Sequence, residues 1–384
     1  MKLDLLYEID VPKPWGDDPW PADQRAREQR AYKEALEQIV LADKLGFNTV
    51  WLVEHHFREG RSHCSNPEAV LGALSQITEQ IRLGFGVTLT PHGFGPPMRV
   101  AEKVATVDVL SGGRVEWGTG RSTPMEQTAF GVDRETSRDA WSAAIQSIVG
   151  MWTNQYYEED SEFLTFPKRN VTPKPVQDPH PPCWVAATSP SSAEVAGRNG
   201  LGLLSFAIMQ PIQVMGDVIK RYRAAQADQT PLTQVVNNRA AAYTLVHCAD
   251  SMDEAETNGV WDAVWWWYQH LAEFMLEWEF PHFPQDEKDK LFPLMTKHAK
   301  GDLNPKEFND YDMIIVGDPE QCIEKMKTYE SLGVDQLLCY MQFGDLDHNA
   351  ILRSIELIGK HVLPEVDPEG ASKVKVVQHA VAPA

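Results

Sequence analysis

The sequence predicts an α/β protein built as a (β/α)8 TIM barrel. Three observations carry this. Apolar, strand-like runs alternate with stretches of helical periodicity, the runs number eight, and 384 residues accommodate one barrel of roughly 250 residues plus insertions.

The series opens with the apolar run Leu3 to Tyr7. After a Pro/Trp/Asp loop, Tyr32, Leu36, Ile39 and Val40 recur at three- and four-residue steps and Leu45 ends the run, which predicts a helix stopped by Gly46. The β-branched run Thr49 to Val53 completes the first βαβ unit. The unit then repeats. Helix over 69–80 precedes strand over 81–90, and helix over 100–110 precedes a Ser111-Gly112-Gly113 turn and strand over 115–118. A helix over 141–152 and a Pro-rich stretch lead to strand over 183–187. Helix over 192–199, strand over 201–205, helix over 212–227 and strand over 240–246 follow. After a long excursion, helix 319–332, strand 335–341 and helix 349–361 close the series. A closed barrel accounts for eight strand–helix repeats better than an open doubly wound sheet does. One domain is expected over 1–367, with a loose tail over 368–384. The excursion, about 249–311, is an insertion carrying Trp261, Trp265, Trp266, Trp267, Tyr268, Phe274 and Trp278. Aromatics at adjacent helical positions point in all directions, so this insertion must be covered on several sides, as a lid over a site or as a dimer face.

Composition narrows the function. A net charge of −20 repels phosphate backbones and anionic membranes, so neither nucleic acid nor membrane is an expected partner. Five scattered cysteines without C-x-x-C spacing point to a reducing compartment, and acidic residues interrupt the first apolar run where a signal peptide needs continuity. With no apolar stretch of membrane-span length, a cytoplasmic protein is expected.

In such a barrel, chemistry collects at the C-terminal ends of the strands. The second strand ends in Glu54-His55-His56-Phe57. Side chains alternate along a strand, so one histidine faces the barrel mouth and the other packs outside. Adjacent histidines do not supply converging metal ligands, and no metal is expected. After the fourth strand comes Gly118-Thr119-Gly120-Arg121-Ser122, where glycine permits close backbone approach and arginine suits a phosphate. Thr123 stands where a dinucleotide fingerprint needs a third glycine. After the fifth strand, Thr188-Ser189-Pro190-Ser191-Ser192 opens a helix, as a plain N-cap or an anion site.

These residues resemble, in order and over Met1 to about Asp367, the bacterial luciferase-like flavin-dependent monooxygenases. The similar segments are Trp51 to Phe57, Asn66-Pro67, Thr90-Pro91, Ala101-Glu102, Asp108 with Leu110 to Arg114, Ala187 to Ser192, and Gly317 to Glu320. The resemblance implies a (β/α)8 barrel, and a two-component enzyme that uses reduced FMN and O2, through a C4a-hydroperoxyflavin, to oxygenate an organic substrate. The abundance of Trp and Phe near the expected mouth points to a substrate that is small to medium and apolar. A separate NAD(P)H:flavin reductase would supply the FMN, and a homodimer is implied. Carried over by position, His55 would be catalytic with Glu54 in support. Arg121, Ser189 and Ser192 would hold the phosphate, beside Gly120 and Thr188. Gly86-Val87 would form a non-prolyl cis peptide under the flavin ring, and Ser205 and Phe206 would flank it. Gly120 stands where the luciferases carry a reactive cysteine, so light emission is not implied, and Thr188 replaces an acidic residue of those enzymes. A sister branch uses the deazaflavin F420 for hydride transfer. Its more anionic tail would call for Lys or Arg in 188–194, which has none. A non-catalytic flavin-binding protein is the remaining alternative.

Overall fold

The computed structural model describes residues 1–13, 19–187, 189–208, 211–273, 284–291 and 293–372. Its strands are β1 (Lys2–Tyr7), β2 (Thr49–Leu52), β3 (Arg82–Leu89), β4 (Val115–Gly120), β5 (Tyr157–Asp160), β6 (Thr165–Arg169), β7 (Cys183–Ala186), β8 (Gly202–Phe206), β9 (Ala240–Cys248), β10 (Ile315–Gly317) and β11 (Gln336–Tyr340). Strands β1, β2, β3, β4, β7, β8, β9 and β11 are the eight expected from sequence. They pair in parallel in that order, and β11 closes the ring by pairing with β1.

Two strand features were not anticipated. β5 and β6 form an antiparallel hairpin inside the Pro-rich approach to β7. Its strands, YEED and TFPKR, lack the apolar alternation that marks a buried strand. The three-residue β10 lies along the upper end of β9, where Ile315 pairs with Val246.

Tryptophans fill the barrel interior. Trp51 on β2 and Trp184 on β7 touch edge to face with centroids 5.4 Å apart. Two strands separate them in the sheet, so they meet across the interior. Each ring lies over a glycine on the neighbouring strand: Trp51 is in register with Gly84 and Trp184 with Gly202. A Cβ on Gly84 would approach the Trp51 ring to 2.5 Å, and one on Gly202 the Trp184 ring to 2.4 Å. The indole N–H groups need acceptors when buried. Trp51 Nε1 donates to Asp4 at 2.8 Å and Trp184 Nε1 to Glu116 at 2.6 Å. Asn48 and Gln336 also donate to Asp4, while Arg82 and Arg239 pair with Glu116. The lower half of the barrel is therefore a polar network in which both indole N–H groups find a carboxylate, and the chemistry has the upper rim to itself.

The expected helix stop at Gly46 and the expected turn at Gly112 both hold. Gly46 sits at φ 87° and returns its N–H to the last turn of helix Gln24–Leu45, and Gly112 does the same at φ 67° for helix Pro97–Ser111. Residues 368–372, within the stretch expected as a loose tail, are helical. Lys2 pairs there with Asp367 and Glu369 at 3.1 and 2.6 Å.

In the insertion, helix Val260–Glu273 turns Val260, Val264, Trp267 and Leu271 inward. Trp267 meets Tyr340 at the end of β11 with centroids 6.0 Å apart, and Tyr268 stacks on Phe308 at 3.7 Å. Among the described members, Trp265 is the exposed one, at 39%. Phe274 and Trp278 lie outside the described residues.

Candidate active site

Beyond β2 the chain carries His55 and His56 over the rim, and the two side chains part as alternation requires. His56 packs on Phe57 and Phe130, with centroids 5.9 and 4.8 Å apart. His55 turns to Glu126, a fully buried residue of the short helix Pro124–Phe130, with Nδ1 3.2 Å from Oε1. The same Oε1 accepts the His56 backbone N–H at 2.7 Å. Oε2 accepts the Ser122 hydroxyl, and the Thr123 hydroxyl at 3.3 Å. Burial opposes ionisation of Glu126, but His55, then Arg58 and Ser122, hold its pKa far below the ordinary carboxylate value. Burial, then Arg58, lowers the pKa of His55 against the pull of Glu126 and Glu8, so the imidazole is neutral at pH 7.

Glu54, expected to support His55, faces elsewhere. Its carboxylate accepts the backbone N–H of Leu89 at the end of β3 and lies 3.7 Å from His56 Nε2 and 3.6 Å from Lys103. It braces the top of β3, and the carboxylate on His55 is Glu126.

A second buried acid stands across the rim. Glu8, just after β1, accepts from Arg61 Nη2 at 2.9 Å. The Arg61 guanidinium lies 4.5 Å from the Trp267 ring centre, which ties the insertion helix to the barrel mouth. Asp10 accepts from the Tyr340 hydroxyl at 2.7 Å, and burial followed by Glu8 pushes its pKa well up, toward the neutral acid.

On the opposite side of the rim, β3 and β4 prepare a groove. The Gly86–Val87 peptide is cis, and the β3–β4 register shifts there. A Cβ on Gly120 would stand 2.5 Å from Val87 Cγ2, so glycine alone keeps that approach. A cavity follows, lined by Gly120, Arg121, Arg138, Trp141, Ala187 and Ser192, among others. Among the described residues, neither Arg121 nor Arg138 forms an ion pair. Arg121 donates to the Ser137 hydroxyl at 3.1 Å, and burial, then Arg138, lowers its pKa. Ser189 caps helix Pro190–Arg198 through the Ser192 N–H at 3.2 Å and also donates to the Ser192 hydroxyl at 2.9 Å. Thr188 lies outside the described residues. Ser205, 3% exposed, has an Oγ with no hydrogen-bond partner among the described residues, and Phe206 packs on Tyr243 at 5.4 Å.

Two like charges without carboxylates, a helix N-terminus and a glycine-cleared backbone fit a phosphate group with a planar ring beyond it. The expected residues Gly86, Val87, Gly120, Arg121 and Ser192 gather at this groove, with Ser189 behind Ser192. His55 stands on the neighbouring strand end.

Sequence reasoning missed Glu126, Glu8, Arg58, Arg61 and Arg138. Thr123-Pro124-Met125-Glu126 has the spacing of a helix capping box, which gives Glu126 a local explanation. In the structure Thr123 makes no side-chain cap, and Glu126 reaches the histidine instead.

Comparison with known proteins agrees. The sequence model described as luciferase-like monooxygenase matches residues 17–336. The oxygenase component of a flavin-dependent trigonelline monooxygenase from Acinetobacter baylyi is 27% identical over 359 residues, covering 89% of this chain and 92% of that one. The fold matches the oxygenating constituent of 3,6-diketocamphane monooxygenase from Pseudomonas putida, solved with FMN, at TM-score 0.71 and 18% identity over 95% of this chain and 98% of that one. It also matches an F420-dependent secondary alcohol dehydrogenase at TM-score 0.68 and 18% identity, with the same coverage. The rim geometry and the match over most of the chain place this protein in the luciferase-like monooxygenase family, as a flavin-dependent monooxygenase.

Proposed function

We propose that this chain is the FMN-dependent oxygenase component of a two-component system, with reduced FMN delivered by a separate NAD(P)H:flavin reductase. The observation that carries this reading is the Arg121–Arg138 pair without a carboxylate partner beside Ser192. Two guanidinium groups match the near-dianionic charge of a phosphate monoester at pH 7. The deazaflavin alternative shares the fold, but its more anionic tail finds no Lys or Arg among residues 189–194. Bound reduced flavin supplies the two electrons that, with O2, place one oxygen atom in the substrate and release the other as water.

The chain's own residues position and protect. Gly86, Val87 and Gly120 would give the ring its surface, while Arg121, Arg138 and Ser192 would hold the phosphate, with Ser189 fixing the helix start. Ser205 Oγ and the Phe206 ring stand at its flank. Glu54 steadies the end of β3 beneath. His55 acts as the proton-transferring group, and Trp267 on the insertion helix closes the mouth against water. We take the substrate to be a small to medium organic molecule with its apolar body along Phe206 and Tyr243. The Glu8–Arg61 pair adds a polar wall that composition alone did not suggest. A cytoplasmic homodimer completes the reading. Ile77, Val109 and Leu110 are 45–49% exposed at the adjoining ends of two helices, linked by Gln76 Nε2 donating to the Leu110 carbonyl at 3.2 Å.

The test is anaerobic binding of reduced FMN followed by rapid mixing with oxygenated buffer. The expected result is saturable binding, and reoxidation kinetics that differ from free FMN and respond to substrate. His55→Ala should bind flavin yet lose oxygenation. Binding of reduced F420 without reduced FMN would overturn the cofactor assignment, and full turnover by His55→Ala would overturn the role of His55.

A further inference from the structure

Glu126 is surrounded more completely than a packing role requires. A carboxylate ion offers about four acceptor positions, and here four donors fill them. His55 Nδ1 and the His56 backbone N–H meet Oε1, while the Ser122 and Thr123 hydroxyls meet Oε2. Three of the four come from groups whose hydrogen is unambiguous or free to rotate toward the oxygen. The fourth is the imidazole. An ionised carboxylate has no proton to give, so Nδ1 must carry the hydrogen. His55 Nε2 makes no hydrogen bond with any described residue, and the side chain is 22% exposed on the site face.

We infer that Glu126 is the positioning residue of the catalytic site, holding His55 as the Nδ1-protonated neutral tautomer so that its Nε2 lone pair faces the reacting groups. The inference rests on the assignment of His55 made above. It gives His55 a direction: Nε2 receives a proton or a hydrogen bond from a group in the site, and does not donate one at rest. When Nε2 takes a proton, the positive imidazolium lies against Glu126, which offsets the charge. Burial, and then Arg58, 3.7 Å from Glu126, oppose that charge and keep the resting imidazole neutral. Glu8 faces the same imidazole from the β1 side and is itself tied to Arg61. Burial first, and then Arg58, Glu126 and Glu8 from the elements packed around it, set the titration of His55.

The local sequence explains why the carboxylate sits there. Ser122 adopts φ 65°, which turns its hydroxyl onto Glu126, and Pro124 starts the short helix that points Glu126 back toward β2. Arg121 precedes this turn, and its carbonyl accepts from Gln127 at 2.7 Å. One seven-residue segment therefore carries both the phosphate arginine and the partner of the histidine.

The test is NMR of the ring-15N-labelled histidines in the flavin-free protein, with His55→Ala used to assign the signal. The wild type should show Nδ1 protonated and Nε2 bare above the titration midpoint of His55. Glu126→Gln, near-isosteric but neutral and able to donate or accept, should weaken that tautomer preference and lower the midpoint. It should also reduce oxygenation roughly 10- to 100-fold, a part of the roughly 100- to 10,000-fold that a complete general acid–base device contributes. Glu126→Asp, which keeps the charge, should restore much of the midpoint. An Nε2-protonated wild type would overturn the inference without any variant having to fold, as would a Glu126→Gln protein with unchanged tautomer and midpoint. If the tautomer is as expected but His55→Ala turns over normally, the assignment of His55 fails and the positioning geometry stands.

Discussion

Replacing Arg121 by glutamine separates phosphate recognition from ring binding. Arg121 is half-buried, lies beside Arg138 and has no carboxylate partner among the described residues, so its charge is held in reserve for a ligand. A hydrogen bond to a charged group contributes about 1.5–3 kcal/mol, and half burial places Arg121 near the middle, about 2 kcal/mol. At about 1.4 kcal/mol per decade, Arg121→Gln should weaken reduced FMN binding roughly 30-fold. Arg138 is exposed, and an exposed pair is worth about 0.2–1 kcal/mol, so Arg138→Gln should weaken FMN by about fivefold at most. Riboflavin, which lacks the phosphate, should bind the wild type and both variants alike. The flavin-free Arg121→Gln protein should melt no lower than wild type, because burial and Arg138 both disfavour the arginine's charge there. FMN affinity in the wild type should also rise with pH through about 6, as the phosphate gains its second charge. The assay is anaerobic titration followed by flavin fluorescence, with calorimetry of the empty protein. An equal loss for riboflavin and FMN would refute the reasoning, since Arg121 would then act on the ring or the fold. So would an unchanged FMN affinity.

Other outcomes follow from the same geometry. Gly120→Val places side-chain atoms where a Cβ alone would be 2.5 Å from Val87, so it should displace the Gly86–Val87 segment. Such overpacking costs about 1–3 kcal/mol of stability, and flavin affinity should fall with it; chemical denaturation and titration read both. Asp4 has its pKa raised to about 6 by burial, against hydrogen bonds from Trp51, Asn48 and Gln336. The folded state therefore holds this proton more tightly than the unfolded chain, and stability should fall as pH rises from about 4 to about 6 by up to about 3 kcal/mol from this group. Asp4→Asn should remove that slope, and parallel slopes in the two proteins would reject the assignment. Leu110→Asp should shift a dimer toward monomer in light scattering; an unchanged mass would move the interface elsewhere.

Much of this protein was legible before folding. The eight barrel strands, Gly46 as a helix stop, the Ser111-Gly112-Gly113 turn, and the placing of Gly120, Arg121 and Ser192 on one face of the barrel follow from signals written within short windows, whereas Gly86 and Val87 are legible only through the family resemblance. Strand periodicity, a glycine where φ is positive, and an arginine at a strand end are local facts, and the barrel topology then brings strand ends together automatically. The β5–β6 hairpin escaped because its strands bury no continuous face, so they leave no periodic trace.

The charge partners were decided only by the tertiary structure. His55 and Glu126 are 71 positions apart, and Glu8 and Arg61 are 53 apart. Nothing near His55 in sequence favours Glu126 over its immediate neighbour Glu54. Strand alternation sends Glu54 toward Lys103 and β3, while the Ser122 turn sends Glu126 toward the histidine. Which carboxylate sets a buried imidazole's proton depends on a separation of about 3 Å in a low-dielectric site, where pairing is strong and misplacement by one residue abolishes it. The sequence by itself determined which residue types stand on the rim. Only the fold decided which of them face one another.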